Sequence, residues 1–214
     1  LRFWLLERDA GHGAALVAVD GPSLGELNTW PWPRRYHAQV LDNLLAAGAT
    51  RVAFAIDFSS QSSAAEDHAF ERALQAAGER AVLPVFQQYD RSGGRTALLR
   101  TLPLKRFGRH TALASINVEP DGDGLVRQLQ RSYDWDGTPV PTLAAMLAGP
   151  KADSRTPFHI DYGIDPASLT RLSFARVLRG QFNAALVAGR QVIVGATAAE
   201  LGDRLATPLH RALP

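Results

Sequence analysis

The chain has 214 residues, a length that fits one α/β domain and leaves too little for two full-sized domains. Hydrophobic residues at 46% and charged residues at 21% exclude wholesale disorder, collagen-like repeats and coiled coils. The net charge of +2 is too small and too dispersed to indicate a nucleic-acid-binding surface, and with no cysteine the chain cannot form disulfides, thiolate zinc sites or cysteine nucleophiles.

The longest uncharged stretch and the sequence at the two ends of the chain bear on membrane crossing, secretion and domain organisation. The longest stretch without Asp, Glu, Lys or Arg runs from Gly137 to Pro150, which is too short and too rich in Pro and Gly to cross a bilayer. No secretory signal pattern occurs near Leu1. The chain starts without methionine and stops at Pro214, so we expect one domain over residues 1–214 that is a segment of a longer protein.

The first part of the chain predicts a strand, a helix and a second strand. Ala15 to Val19 is a short apolar run followed by turn residues, which is typical of a buried strand. Pro33 is placed to open a helix that ends at Gly48, and Arg51 to Ile56 supplies the next apolar strand. A crossover of this length predicts parallel pairing, and strands that are apolar throughout predict helices on both faces of the sheet.

A third strand and a long polar segment follow. Ser63 and Glu66 form a capping box that predicts a helix ending at Gly78. Ala81 to Phe86 predicts the third strand. The polar stretch from Gln87 to Arg109 predicts a surface excursion that adds little to the core and carries function or mobility.

The second half predicts a mixture of short elements. Thr111 to Val118 and Leu125 to Ser132 flank turn residues 120–124, which predicts an antiparallel hairpin. Short helices are expected at 142–147 and 174–178, and strands at 158–162 and 191–194. The predicted fold is α/β, with a mixed, mainly parallel β-sheet flanked by helices on both faces and an antiparallel hairpin.

One motif suggests hydrolysis. Residues 21–25 read Gly-Pro-Ser-Leu-Gly and match the G-x-S-x-G nucleophile elbow, with Asp161 and His210 following Ser23 in the order of a catalytic triad. A serine hydrolase using Ser23 is therefore the alternative function. The elbow normally follows earlier strands that supply the oxyanion loop, and too little chain precedes Ser23 for them. We favour a turn in which Ser23 opens a short helix.

Metal and cofactor motifs are weak. Glu119, Asp121 and Asp123 imitate the first ligands of a calcium loop, but Arg127 and Gln130 stand where later oxygen ligands belong, which favours a plain turn. The six histidines have no zinc-ligand spacing, and no phosphate-binding loop occurs. We predict no metal site and no cofactor, and we expect most histidines to be surface or packing residues.

The best physical candidate for a site is one edge of the sheet. Asp20 and Asp57 each follow an apolar strand, so their carboxylates share the carboxyl edge if the two strands are neighbours. Open α/β sheets bind ligands at that edge. The alternative is that each Asp accepts hydrogen bonds from the next backbone amides in a turn. Trp30 and Trp32 could stack on a ring-shaped ligand, although packing of a helix against the sheet is favoured.

Several motifs taken in order resemble the type-two CHASE domain, the cyclase and histidine-kinase associated extracellular sensory module. They are Val17-Ala18-Val19-Asp20 to Ser23-Leu24, Trp30-Pro31-Trp32-Pro33-Arg34, Ala47-Gly48-Ala49, Ala55-Ile56-Asp57-Phe58, Asn117-Val118 to Asp121, Asp123 to Arg127, Ser173 to Leu178, Gly189 to Ala198, Gly202-Asp203-Arg204 and Ala206 to Leu209. The resemblance runs from about Ala15 to Pro214. Gly21 departs from it, standing where the family often has a second acid, and Gln87 to Arg109 matches no part of it.

The resemblance implies a non-catalytic sensory domain on the periplasmic side of the bacterial inner membrane. Flanking transmembrane helices would couple it to a cytoplasmic histidine kinase, adenylate cyclase or cyclic-di-GMP enzyme. It implies a homodimer that responds to an unidentified small molecule or protein, and the small net charge predicts that the domain does not bind nucleic acid. The predicted ligand-binding set is Asp20 and Asp57 at the sheet edge with four residues near it that rest on the resemblance and on strand-end placement: Trp30, Arg34, Thr197 and Asp203. A third possibility is an interaction module in which the 87–109 segment contacts a partner.

Overall fold

A computed structural model describes residues 8–90, 97–149, 156–198 and 205–209. In these ranges the strands are β1 (Arg8–Asp9), β2 (Ala14–Val19), β3 (Arg51–Ala55), β4 (Ala81–Asp90), β5 (Ala97–Thr101), β6 (Ala112–Ser115), β7 (Gln128–Leu129), β8 (Ser132–Trp135), β9 (Thr138–Pro141), β10 (Phe158–His159), β11 (Ile164–Asp165), β12 (Arg171–Ser173) and β13 (Gln191–Ala196). The α-helices are α1 (Gly21–Leu27), α2 (Arg34–Ala46), α3 (Ala64–Ala77), α4 (Lys105–Gly108), α5 (Leu143–Ala148) and α6 (Phe174–Leu178).

The central sheet is mixed and mainly parallel, as predicted. Neighbouring strands follow the order β12, β2, β13, β3, β4 and β6, and every one of these pairs is parallel. Strand β5 runs antiparallel to the far end of β4. The chain reaches β13 last and inserts it between β2 and β3, so β2 and β3 are not hydrogen bonded to each other.

Helices cover both faces of this sheet, which confirms the predicted fold class. Phe54 points to one face and belongs to the large core formed with α2, α3 and α6. Its neighbour Ala53 points to the other face, where it packs with Val82, Ala114 and the apolar side of α5. Alternate residues of a strand lie on opposite faces, so a strand buried on both sides must be apolar throughout. This requirement explains the continuous apolar run in β3.

The two long helices begin and end where the sequence predicts. Helix α2 starts after Pro33, and Gly48 follows its end with a φ of +89°, a conformation that glycine adopts without strain. Helix α3 is capped by Ser63, whose hydroxyl accepts a hydrogen bond of 3.3 Å from the Glu66 amide. The predicted helix at 174–178 is present as α6.

The expectation that Gln87 to Arg109 adds little to the core is wrong. Strand β4 continues to Asp90 and pairs with β5, although residues 91–96 lie outside the described ranges. Phe107 of α4 is fully buried and packs on Phe70 with 5.2 Å between ring centroids. The Leu104 amide also donates to the Phe58 carbonyl at 3.0 Å. This segment therefore closes one end of the core, and the role of its outer surface in partner contact stays a prediction.

The antiparallel hairpin predicted across residues 111–132 is wrong in its location. The turn exists, with the Gly124 amide donating to the Asp121 carbonyl at 2.8 Å. The flanking strands separate, however, because β6 joins the sheet parallel to β4 while β7 pairs with β10. The antiparallel hairpins among the described residues are β4–β5 and β8–β9. All four residues of β6 pair with residues 82–85 of β4 and not with a strand across the turn.

Candidate functional site

The two acids at the strand ends both serve their local turns. Asp20 caps α1 by accepting from the Ser23 amide at 2.9 Å, and it also accepts from the Ser173 hydroxyl at 3.2 Å. Asp57 accepts from the amide and the hydroxyl of Ser59, at 2.8 and 2.9 Å. Both lie at the carboxyl edge, but β13 lies between their strands, which are therefore two strand spacings, about 10 Å, apart. The condition that their strands be neighbours is therefore not met.

A cleft of about 610 Å³ opens at this edge beside Asp57. One wall is the chain that enters α2, residues 29–34, together with His37; the other is the connection from β3 to α3, including Ile56, Asp57, residues 60–62 and Glu66. We call this space the Trp–Pro cleft. It has the size of a small-molecule site and lies where α/β sheets generally bind ligands.

Arg34 ties the two walls together. Its side chain is 12% exposed, and its Nη2 donates to the Ser60 carbonyl at 2.9 Å. Its Nε lies 3.9 Å from Asp67, and its guanidinium lies 4.7 Å from the centre of the Phe58 ring. Burial lowers the pKa of Arg34, while the charges of Asp67 and Asp57 oppose that change. The guanidinium is thus held in place by a carbonyl, a carboxylate and an aromatic face.

Trp30 and Trp32 have different environments. Trp32 is 3% exposed and stacks on Phe174 of α6, with ring centroids 4.3 Å apart. Trp30 meets Trp32 edge to face at 5.1 Å and keeps 44% of its surface exposed. The packing interpretation therefore fits Trp32, whereas Trp30 presents an indole to the cleft and to solvent.

His37 is a feature of the site that the sequence interpretation did not select. It is 2% exposed, and its ring contacts those of Phe54, Phe58, Phe70 and Phe174. Burial, followed by the nearby charge of Arg34, lowers the pKa of His37 to about 3. The ring is therefore neutral at physiological pH. The available signal was its spacing, since His37 lies on the same apolar helix face as Val40, Leu41 and Leu44.

Two buried nitrogen atoms of cleft residues have no hydrogen-bond partner among the described residues. They are Nε1 of Trp32 and Nδ1 of His37. Such groups are uncommon, because burying an unpaired donor or acceptor costs about 1–3 kcal/mol. Both residues line the Trp–Pro cleft, so a bound molecule or a shift of the loop can supply what is missing.

Acids of the first turn of α3 hold the second wall. Glu66 accepts from the Arg35 amide at 2.8 Å and forms an ion pair with the Arg35 side chain. Asp67 is buried and accepts from the Ser62 amide at 3.3 Å. The sequence showed Glu66 only as part of a capping box. Its second role, holding the start of α2, depends on the packing of the two helices.

The remaining nominated residues lie elsewhere. Thr197 follows β13, where its amide donates to the Val19 carbonyl at 3.1 Å and its hydroxyl accepts from Arg171 at 2.5 Å. Neither Thr197 nor Asp20 lines the cleft. Asp203 lies outside the described residues. Of the nominated set, the structure places Trp30, Arg34 and Asp57 around one cavity, and their part in ligand binding stays a prediction.

Nothing in the structure supports the serine hydrolase alternative. Ser23 is fully buried, shares a hydrogen bond of 2.8 Å with the Ser173 hydroxyl and accepts from the Ala175 amide at 3.1 Å. Asp161 pairs with Arg8 instead, and His210 lies outside the described residues. Ser23 does lie in a short helix, and its hydroxyl links α1 to α6.

The acidic turn at 121–124 is neutralised within the chain. Arg127 donates to Asp121 at 2.8 Å and to the two oxygens of Asp123 at 2.8 and 2.6 Å. These hydrogen bonds, with one from the Leu125 amide, lower the pKa of Asp123 to about 2. Across the described part of the chain, no group of three or more His, Asp or Glu side chains is placed to hold a metal ion.

Comparison with known proteins identifies the family. The mainly parallel sheet, the helices on its two faces and the cleft at its carboxyl edge define an α/β domain. The family model described as CHASE2 domain matches residues 1–214, so the chain belongs to the CHASE2 family. CHASE2 is a non-catalytic, extracellular sensory domain of signalling receptors. Neither the curated proteins nor the solved structures contain a match. Among the described residues no helix is both long and apolar enough to cross a membrane.

Proposed function

We propose that the Trp–Pro cleft is the input site of this sensory domain and that it binds an extracellular small molecule. The observation that carries the proposal is the cleft itself, a cavity of about 610 Å³ whose residues Trp32 and His37 hold buried nitrogen atoms without partners. Both atoms are buried, so a ligand that shifts the 29–34 loop and offers them partners gains hydrogen bonds that the free domain lacks.

The packing of Trp32 gives binding a route to the rest of the fold. Trp32 lines the cleft on one side and stacks on Phe174 on the other, so displacing the 29–34 loop moves a contact of α6. Helix α6 packs in turn against α1 and α2 and is joined to α1 through Ser23. A ligand changes signalling only if it binds one of two such packings more tightly than the other.

We further propose the receptor context implied by the family. The domain would face the periplasm of a bacterial inner membrane, act as a homodimer, and pass its signal through flanking transmembrane helices to a cytoplasmic histidine kinase, adenylate cyclase or cyclic-di-GMP enzyme. The complete gene is expected to encode apolar segments of roughly 20 residues beside this domain. A gene product with no such segment would contradict the membrane-receptor part of the proposal.

Screening by amide NMR tests the input site. We expect a hit from a library of extracellular metabolites to shift amide signals of residues 29–37 and 56–66 first. Ser60 is exposed on the cleft wall, so Ser60→Trp should fill the cavity and abolish the shifts. Ala76→Trp adds the same ring to the exposed side of α3 outside the cleft and should leave binding unchanged. Hits whose shifts lie elsewhere and survive Ser60→Trp would overturn the proposed site.

A further inference from the structure

The charges of the Trp–Pro cleft are unevenly compensated. Arg34 lies against Asp67, and Arg35 is paired with Glu66, so these four charges form two local pairs. Asp57 is exposed and makes no ion pair with any residue that the structure describes. The charge of Asp57 acts on Arg34 without forming an ion pair, and its bonds to Ser59 fix the carboxylate in position. The cleft therefore offers a ligand one oriented negative charge.

The positive groups of the cleft are poorly placed for an anionic ligand. The Arg34 guanidinium is largely buried and already contacts the Ser60 carbonyl, Asp67 and the Phe58 ring. His37 is neutral at physiological pH because burial lowers its pKa to about 3. An anion would face the Asp57 carboxylate and would find no free cationic side chain among the described residues of the lining, so the electrostatics of the walls oppose it.

An exposed aromatic face accompanies the free acid. Trp30 keeps 44% of its surface exposed and lines the same cleft as Asp57. Tryptophan is the side chain that attracts organic cations most strongly over its ring. Pro31 and Ile56 add apolar surface for the body of a ligand. The lining of one cleft thus holds both an exposed indole and a carboxylate, and a neutral ligand would use only part of that combination.

We propose that the Trp–Pro cleft binds a small organic ammonium ion, with its positive charge facing Asp57 and the indole of Trp30. This inference rests on the proposed function, because it names the chemical class of the ligand at the same site. The ligand is a protonated or quaternary amine that carries a ring or a short alkyl body, and the cavity of about 610 Å³ admits a molecule of that size.

Pairs of charged and neutral molecules of similar shape measure how much the positive charge of the ligand contributes to binding. Choline and phenethylammonium are compared at pH 7 with neutral molecules of nearly the same shape, 3,3-dimethyl-1-butanol and phenethyl alcohol. Titration calorimetry gives the affinities, and amide NMR locates the binding. We expect at least one ammonium ion to bind in the cleft about tenfold more tightly than its neutral counterpart.

Variants assign that preference to residues. Asp57→Asn keeps an acceptor for the Ser59 amide. It should reduce the ratio of the affinities for the ammonium ion and its neutral counterpart to about one. Trp30→Leu should lower the affinity for the ammonium ion more than the affinity for the matching alcohol. Asp42→Asn removes one exposed acid from α2 outside the cleft and should leave the preference unchanged. Thermal melts of each variant confirm that it is folded.

The outcomes separate this inference from the proposed function. Equal affinity for charged and neutral probes, a preference that survives Asp57→Asn, or no binding by either ammonium ion would each overturn the ammonium inference. A neutral metabolite that shifts cleft amides would do so as well, while leaving the cleft as the input site. A ligand that shifts only amides outside the cleft would overturn the proposed function itself.

Discussion

Trp32 stacks nearly parallel on Phe174, with their ring planes 28° apart and their centroids separated by 4.3 Å. The contact joins the loop that enters α2 to the first residue of α6, and both rings are buried. It connects the wall of the Trp–Pro cleft to α6, which packs against α1 and α2. The stability of the fold and the response of the cleft should therefore depend on the same pair.

Phe174→Ala should destabilise the domain by about 4 kcal/mol, because a fully buried aromatic ring is lost and a cavity remains. Urea unfolding followed by circular dichroism measures the change. Leu98→Ala, at a side chain that is 39% exposed, should cost less than about 1 kcal/mol. Equal losses for the two variants would show that the Trp32–Phe174 contact is not part of the stabilising core.

Ser23→Ala should destabilise the domain by about 1–3 kcal/mol. The substitution removes the acceptor of the buried Ala175 amide and a partner of Ser173. Ser60→Ala, at an exposed position, is the matched control and should be nearly neutral. Background turnover of generic esters should be the same before and after Ser23→Ala. A loss of turnover without a loss of stability would restore the hydrolase interpretation.

The Arg34–Asp67 contact should be worth more than an exposed ion pair, because the two side chains are only 12% and 4% exposed. Arg34→Gln should cost about 2–4 kcal/mol, largely by leaving the Asp67 carboxylate buried without its cation. Asp67→Asn added to Arg34→Gln should recover part of that loss. A double-mutant cycle from urea unfolding measures the coupling energy between Arg34 and Asp67. A value near zero would show that the contact of 3.9 Å between Arg34 Nε and the Asp67 carboxylate does not stabilise the fold.

The buried His37 should make stability depend on pH in a defined window. An unfolded histidine binds a proton near pH 6.5, whereas folded His37 stays neutral until about pH 3. Between these values the unfolded state binds more protons, so stability falls as pH decreases through this window, by up to ~1.4 kcal/mol per pH unit. Above pH 6.5 this contribution is constant.

His37→Leu removes that titration and should flatten the stability profile between about pH 3 and 6.5. Urea unfolding at a series of pH values compares the slopes of the two proteins, and NMR of the native protein follows the His37 ring directly. A His37 ring that takes up a proton near pH 6 in the folded state, or identical slopes for the two proteins, would contradict this account of its burial.

The elements that the sequence predicted well are those determined by local signals. The helix at 174–178 and the ends of α2 and α3 follow from apolar spacing, from Ser63 as a cap and from Gly48 as a terminator. The order of the strands could not be predicted in this way. The position of β13 between β2 and β3 depends on contacts between distant parts of the chain, and no local pattern in Gln191–Ala196 predicts it.

The site was partly predictable for the same reason. Asp57 stood out because it follows a strand at the carboxyl edge of the sheet, and Trp30 and Arg34 stood out because of the family resemblance together with their place near that edge. His37 did not stand out, since its role depends on the aromatic rings that surround it after folding. Phe107 was missed because the polar residues around it concealed a core position.

The most direct test of the cleft as input site is the signalling output of the intact receptor. Cells that carry the wild-type receptor, Ser60→Trp or Ala76→Trp are exposed to a ligand that shifts cleft amides, and the product of the output enzyme is measured. We predict that Ser60→Trp abolishes the response or locks the output in one state, whereas Ala76→Trp responds like the wild type. A normal, ligand-dependent response from a folded Ser60→Trp receptor would contradict the role of the cleft.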